Sequence, residues 1–255
     1  MKGLQSSVKL AQTLVIALLV VQATACTRHA ASPLSTPIAA LKFDAPERDQ
    51  WQKPELIVQN MNIQPGMTVV DLGAGSGYML PYLSRAVGNT GHVIAVEVQP
   101  DFVAMLKQRI AAEELPNVEV IQSTDDGVPL LKPVERILLL DTYRELQQPV
   151  VMLNSLKMHL APKGELFIVD ARSEPDVLGP PLDERLELST VIAEARGAGL
   201  AATLRFDILP RQFFITFVRA EEVPAATLPT TPPTAPPPNA ATPSDAPAVA
   251  PEKHP

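Results

Sequence analysis

The feature that most constrains the fold is a glycine-rich turn within VVDLGAGSGY, residues 69–78. The apolar run Thr68–Asp71 leads into it, and the helix-like stretch Tyr78–Val87 follows it. Glycines stand at three alternate positions of the turn: Gly73, Gly75 and Gly77. Glycine lets the backbone adopt unusual dihedral angles and approach a ligand closely. The segment therefore predicts the strand, turn and helix of a nucleotide-binding domain.

The rest of the central region alternates strand-like and helix-like stretches. Six further strands are predicted: His92–Val98, Val118–Gln122, Arg136–Asp141, Glu165–Asp170, Ala201–Ile208 and Gln212–Arg219. Helices are predicted from Pro100 to about Glu114, near Pro149–Leu160, and from a Ser189 cap to Gly197–Gly199. This alternation indicates an α/β fold with a Rossmann-like, doubly wound, mostly parallel seven-stranded sheet. The short turn between the last two strands makes them an antiparallel β-hairpin that ends the sheet.

The two ends of the chain differ from the middle. Residues 1–25 combine early lysines, an apolar run and small residues, as an export signal does, so we expect the protein outside the cytoplasm. The only cysteine, Cys26, follows directly, and we expect it to be lipidated and to attach the chain to a membrane; simple cleavage before it is the alternative. Residues 26–44 resemble a flexible tether, and the Pro-rich stretch 221–255 resembles a disordered tail. The domain should therefore span residues 45–220.

The spacing of the glycines bears on the choice of cofactor. A dinucleotide turn has the pattern G-x-G-x-x-G, but Tyr78 occupies the last of those positions. Asp71, two residues before the first glycine, suits a ligand that carries an ammonium group rather than a pyrophosphate. Free N–H groups of the turn could bind its carboxylate. We therefore expect S-adenosylmethionine, and a nicotinamide-dependent oxidoreductase is disfavoured.

Further acidic residues follow the strands at the edge where ligands of open α/β sheets bind. Glu97 ends the second strand, where its carboxylate can accept hydrogen bonds from both ribose hydroxyls of a nucleoside. Asp125 and Asp126 follow the third strand and can receive an adenine amino group, or they are simply turn residues before Gly127. Asp141 ends the fourth strand.

At this level of detail the sequence resembles class I S-adenosylmethionine-dependent methyltransferases over residues 45–219. The similar segments are VVDLGAGSGY at 69–78, VIAVEVQP at 93–100, ILLLDTYREL at 137–146 and LAPKGELFIVD at 160–170. In the last segment Lys163 replaces the first glycine of the family's L-x-P-G-G pattern. The segment RDQWQKP at 48–54 and the hairpin near Leu209–Phe214 resemble, more narrowly, predicted exported methyltransferases of Gram-negative bacteria.

The resemblance implies methyl transfer to a small molecule or an envelope component; the alternative is a non-catalytic protein that binds an adenosyl ligand. Relatives often have D-T-Y-H-H where this chain has Asp141-Thr142-Tyr143-Arg144-Glu145, so the sequence does not identify the methyl acceptor. Tyr143 and Arg144 are the candidate catalytic residues, and Trp51 and Lys53 could cover the cofactor pocket. The four histidines are too scattered to suggest a metal site, and a net charge of −7 gives no basic surface for nucleic acid. The sequence does not predict an oligomeric state.

Overall fold

A computed structural model describes residues 43–174 and 179–223 of the chain. The predicted export signal, Cys26 and almost all of the predicted tether and tail lie outside these residues. Within the described part of the chain, no helix is long and apolar enough to cross a membrane.

Seven strands and six α-helices lie within residues 43–174 and 179–223. The strands are β1 (Thr68–Leu72), β2 (His92–Glu97), β3 (Val118–Gln122), β4 (Val134–Leu140), β5 (Leu160–Ala171), β6 (Leu200–Phe206) and β7 (Gln212–Arg219). The helices are α1 (Arg48–Gln52), α2 (Pro54–Asn60), α3 (Leu80–Val87), α4 (Pro100–Ala112), α5 (Pro149–His159) and α6 (Leu188–Gly197). Short 3₁₀ turns lie at Tyr143–Glu145, Leu182–Glu184 and Ala220–Glu222.

The strands form one sheet in the order β3-β2-β1-β4-β5-β7-β6. Strands β1 to β5 are parallel, and β7 pairs antiparallel with both β5 and β6. The predicted fold class is therefore confirmed, including the terminal hairpin. The chain order reverses between β1 and β4, which pair directly with Asp71 opposite Leu138. Open α/β sheets bind ligands at the carboxyl ends of the strands beside such a reversal.

Apolar side chains on both faces of the sheet explain why its strands are continuous hydrophobic runs. In β1, Val70 and Leu72 belong to the core on one face, and Val69 belongs to the core on the other. Alternate residues of a strand point to opposite faces, so each face buries its own set against helices. This double cover holds the carboxyl ends of β1 and β4 rigidly.

Two local predictions need correction, and the conformation of Lys163 explains why the family pattern has a glycine there. Strand β5 begins at Leu160 rather than Glu165. Ser189 does not cap α6, because the helix begins at Leu188 after Glu187, and Ser189 lies inside its first turn. Lys163 has a φ of 61°, so it adopts the left-handed conformation that the glycine of the family pattern would favour.

Candidate functional site

A cavity of about 610 Å³ opens at the carboxyl ends of the central strands. Seven of the residues predicted from the sequence line it: Asp71, Gly73, Gly75, Glu97, Asp125, Asp141 and Arg144. They come from the end of β1, the glycine turn, the last residue of β2 and the segments that follow β3 and β4. The parallel sheet thus brings together residues that are up to 73 positions apart in the sequence.

Asp71 is a buried acid with no ionic partner in contact. Its side chain lines the cavity, the residue is 3 % exposed, and among the described residues the carboxylate accepts no hydrogen bond. Burial raises the pKa of Asp71 to about 7, Arg48 lowers it in part, and Glu97 raises it further. A carboxylate in this state stands ready for a cationic ligand group.

Glu97 is a buried acid that backbone donors hold in place. Its Oε1 accepts hydrogen bonds from the N–H groups of Val98 (2.9 Å) and Gln99 (3.0 Å), and its Oε2 accepts one from Gly75 (2.9 Å). A carboxylate has roughly four acceptor sites. One site on Oε2 is thus left for a ligand hydroxyl, whereas the sequence predicts hydrogen bonds from both ribose hydroxyls.

Most N–H groups of the glycine turn are already bonded within the protein. Those of Gly73 and Ala74 donate to the Val96 carbonyl at 2.8 and 3.1 Å, and that of Gly75 donates to Glu97. Among residues 73–78, the N–H groups of Ser76 and Tyr78 have no acceptor in the described structure. The turn therefore offers a ligand carboxylate fewer donors than the sequence suggested.

The glycines have different structural roles. At Gly73 (φ 71°) a Cβ atom would lie 2.4 Å from Thr142 Cγ2, so this glycine allows the β4 loop to approach the turn. Gly77 does not line the cavity, and a Cβ there would lie 2.9 Å from Leu106 Cδ2 in α4. Gly77 therefore serves the packing of α4 rather than direct contact with a ligand.

Two other predicted site residues are not brought to the cavity. Tyr143 is fully buried in the core, and its hydroxyl donates to Glu194 Oε2 of α6 at 2.7 Å. The prediction of Tyr143 as a catalytic residue is therefore corrected, because its side chain packs away from the ligand side. Asp126 is exposed outside the cavity and accepts a hydrogen bond from Thr124 at 2.7 Å, whereas Asp125 lies in the lining.

Arg144 lines the cavity as part of a buried ion-pair network. Its Nη1 lies 2.5 Å from Asp170 Oδ1 and 3.3 Å from Asp141 Oδ1. Burial works against the guanidinium charge, but Asp170 and Asp141 outweigh it and raise the pKa of Arg144. Arg144 consequently stays charged and cannot act as a base, although it can position an acceptor.

Asp141 connects this network to helix α1. It has a φ of 56°, a conformation that few residues other than glycine adopt. Its carboxylate accepts hydrogen bonds from Gln212 Nε2 (2.8 Å) and from Arg48 Nη2 (3.2 Å). Gln52 bonds to both of these partners, to Gln212 at 2.5 Å and to Arg48 at 3.3 Å. The arrangement fixes α1 against the carboxyl edge of the sheet.

The structure shows what the residues of the segment RDQWQKP contact. Asp49 accepts hydrogen bonds from the hydroxyls of Tyr78 (2.6 Å) and Tyr82 (3.2 Å), and Arg48 lies 3.9 Å over the Tyr78 ring. Trp51 lines the cavity, whereas Lys53 is exposed and forms the left-handed link between α1 and α2.

Sequence reasoning singled out Trp51 and Lys53 in this segment but missed Arg48, Gln52 and Gln212. The spacing of Arg48 and Gln52 by four residues was the available signal, since such residues share a helix face. Among the described residues, no cluster of His, Cys, Asp and Glu could hold a metal ion.

Comparison with solved structures identifies the family. A crystal structure of an S-adenosylmethionine-dependent methyltransferase from Aquifex aeolicus is 32 % identical to this chain. The match covers 71 % of this chain and 97 % of that one, with a TM-score of 0.68. The chain belongs to the S-adenosylmethionine-dependent methyltransferases. Family membership confirms the predicted enzyme class and its cofactor, S-adenosylmethionine.

Further methyltransferases match parts of the chain. Residues 53–157 match the family model of protein-L-isoaspartate(D-aspartate) O-methyltransferase. Arsenite methyltransferase of Halobacterium salinarum is 30 % identical over 129 residues, which are 45 % of this chain and 32 % of that protein. Protein-L-isoaspartate O-methyltransferase of Methanothrix thermoacetophila is 28 % identical over 119 residues, 46 % and 54 % of the two chains. The chain thus spans between a third and about half of these two curated relatives.

The site's chemistry fits the family's cofactor. Asp71 offers an unpartnered buried carboxylate to the ammonium group, Glu97 offers an acceptor to a ribose hydroxyl, and Asp125 lies near the end of β3. Val98 and Phe102 add apolar surface to the same cavity. These acceptors therefore match the ammonium and hydroxyl groups of a nucleoside that carries an amino acid.

Proposed function

We propose that this protein transfers the methyl group of S-adenosylmethionine to a small molecule or a component of the cell envelope. One observation carries the proposal: the buried Asp71 carboxylate faces the same cavity as Glu97 and the glycine turn, and it has no ion-pair partner in the described part of the chain. The predicted export signal and Cys26 support an acceptor outside the cytoplasm.

The cofactor supplies a methyl group on a sulfonium centre that is already a good leaving group. The protein therefore needs to align an acceptor with it and to exclude water, and such positioning accounts for a large part of a rate enhancement. The Asp141, Arg144 and Asp170 network holds the edge of the cavity rigid for this purpose. Trp51 and Leu146 add apolar surface that keeps water from the acceptor.

An acceptor with an ionisable hydroxyl would also need a base. Arg144 is excluded by its permanent charge. The carboxylate of Asp141 already accepts hydrogen bonds from Arg48, Arg144 and Gln212, so its oxygens are occupied by protein donors. The site is consequently better suited to an acceptor that is already an anion, such as a thiolate, or to a neutral amine at its working pH.

The test is transfer of a labelled methyl group. Purified protein and methyl-labelled S-adenosylmethionine are incubated with envelope extract and with a panel of small carboxylic acids, phenols, amines and thiols. Label in a product, lost in the Asp71→Ala and Glu97→Ala variants, supports the proposal. Tight binding of S-adenosylhomocysteine without transfer to any acceptor would favour the alternative, a non-catalytic protein that binds an adenosyl ligand.

A further inference from the structure

Arg211 differs from the other arginines that line the cavity. It lies in the turn between β6 and β7, and its guanidinium carbon is 5.0 Å from the centre of the Trp51 ring. Among the described residues, its side chain makes no hydrogen bond and no ion pair. The stacking on Trp51 orients a planar cation but leaves the donors on its edge for other partners.

The other cavity arginines have their donors committed. Arg48 donates to the Phe43 carbonyl at 2.8 Å and pairs with Asp141 at 3.2 Å. Arg144 pairs with Asp170 and Asp141. Arg185 donates to the carbonyls of Pro180 (2.7 Å) and Glu174 (2.8 Å). These three side chains build the wall, and Arg211 is the one of the four whose side chain makes neither a hydrogen bond nor an ion pair among the described residues.

The protein fixes Arg211 and Trp51 relative to each other. The Arg211 carbonyl accepts a hydrogen bond from the Arg172 N–H at 3.1 Å, which ties the hairpin to the end of β5. The next residue, Gln212, bonds to Gln52, which follows Trp51 in α1. Both partners of the stack are therefore anchored by buried contacts, as in a preformed binding site.

We propose that Arg211, held over Trp51, binds an anionic group of the methyl acceptor, a carboxylate or a phosphate. A guanidinium recognises either group with paired N–H donors, and a cation without a protein partner gains more from such a ligand than one already neutralised. Asp71, Glu97 and Asp125 give the cofactor region of the cavity an acidic lining, so an acceptor anion is directed to the Arg211 region. This proposal rests on the proposed methyl transfer, because it assigns a class of substrate to the same cavity.

The test compares benzoate with benzamide, which have nearly the same shape but differ in charge. Saturating S-adenosylhomocysteine first fills the cofactor region, and its own binding reports on the proposed function separately. Ligand-observed NMR titration then gives the two dissociation constants for wild type and variants. We expect wild type to prefer benzoate by about ten-fold, since a charge-assisted hydrogen bond is roughly twice as strong as a neutral one.

Arg211→Gln should abolish this preference, and Arg211→Lys should keep part of it because the charge remains. Arg85→Gln is the matched control: Arg85 lies 5.9 Å over the Tyr82 ring but is exposed outside the cavity. The control variant should prefer benzoate as wild type does. Equal affinity of wild type for the two probes, or an unchanged preference in Arg211→Gln, would overturn the proposal even if S-adenosylhomocysteine binds.

Discussion

Replacing Asp71 with Asn should stabilise the ligand-free protein above neutral pH. Burial raises the pKa of Asp71 from 3.8 to about 7. Below pH 4 the carboxyl is protonated in both the folded and the unfolded chain, so removing its charge gives Asp71→Asn no additional free energy of unfolding. Between pH 4 and 7 the unfolded chain ionises while the folded chain holds its proton, and the folded state loses stability as pH rises. Above pH 7 the full penalty is present.

The size of the change in the free energy of unfolding follows from the pKa shift of Asp71. About three pKa units correspond to about 4 kcal/mol at 1.36 kcal/mol per unit, and the full burial of Asp71 leaves little screening by water. The free energy of unfolding of Asp71→Asn minus that of wild type should therefore rise by up to about 4 kcal/mol between pH 4 and 8.

Urea unfolding at a series of pH values measures this difference directly. The other titrating groups contribute equally to the free energy of unfolding of both proteins, so their contributions cancel in the difference. Asp126→Asn provides the matched control on an exposed acid outside the cavity. Its difference from wild type should stay within about 0.5 kcal/mol throughout. A difference for Asp71→Asn that does not change with pH would refute the reasoning.

Four further predictions concern Asp71, Gly73, Arg144 and Cys26. The affinity of wild type for S-adenosylhomocysteine, measured by calorimetry, should rise about ten-fold from pH 6 to 8 as Asp71 ionises, and Asp71→Asn should remove that rise; a parallel pH profile in the two proteins would contradict this. Gly73→Ala should cost about 2 kcal/mol or more in urea unfolding, because its Cβ would meet Thr142, whereas Gly197→Ala, with nothing within 4 Å, should cost nothing. Arg144→Gln should destabilise the fold by about 3 kcal/mol by leaving Asp170 buried without its partner, and adding Asp170→Asn should restore part of the loss; no recovery in the double variant would argue against the pair. Cys26→Ser should abolish acyl labelling of the protein in cells, and an unlabelled wild type would refute lipidation.

The sheet was predictable because each parallel strand carries its own signal. A strand covered on both faces must be apolar at successive positions, and runs such as Ile137–Leu140 satisfy that condition locally. The glycine turn was equally predictable, since Gly73 and Gly75 adopt positive φ angles that other residues rarely take. Boundaries such as the start of β5 depend on pairing with β4, which the local sequence does not encode.

The polar network of the site could not be predicted from local pattern. Asp141 meets Arg48 and Gln212 across 93 and 71 residues, and these pairs exist only once the sheet has formed. Tyr143 and Arg144 are neighbours in one 3₁₀ turn. The sequence predicted that this turn lies near the ligand, but not which of the two side chains points towards it. The structure turns Tyr143 to Glu194 in the core and Arg144 to the cavity.

The central claim is that Asp71 and Glu97 form an adenosyl-ligand site. Isothermal titration of the purified protein with S-adenosylhomocysteine, and separately with NAD, tests it most directly. We expect saturable binding of S-adenosylhomocysteine to wild type and no binding of NAD. At pH 8 the affinity for S-adenosylhomocysteine should be at least ten-fold weaker in Asp71→Ala and in Glu97→Ala, and unchanged in the control Arg85→Gln. Failure of S-adenosylhomocysteine to bind, or binding that neither alanine variant weakens, would contradict it.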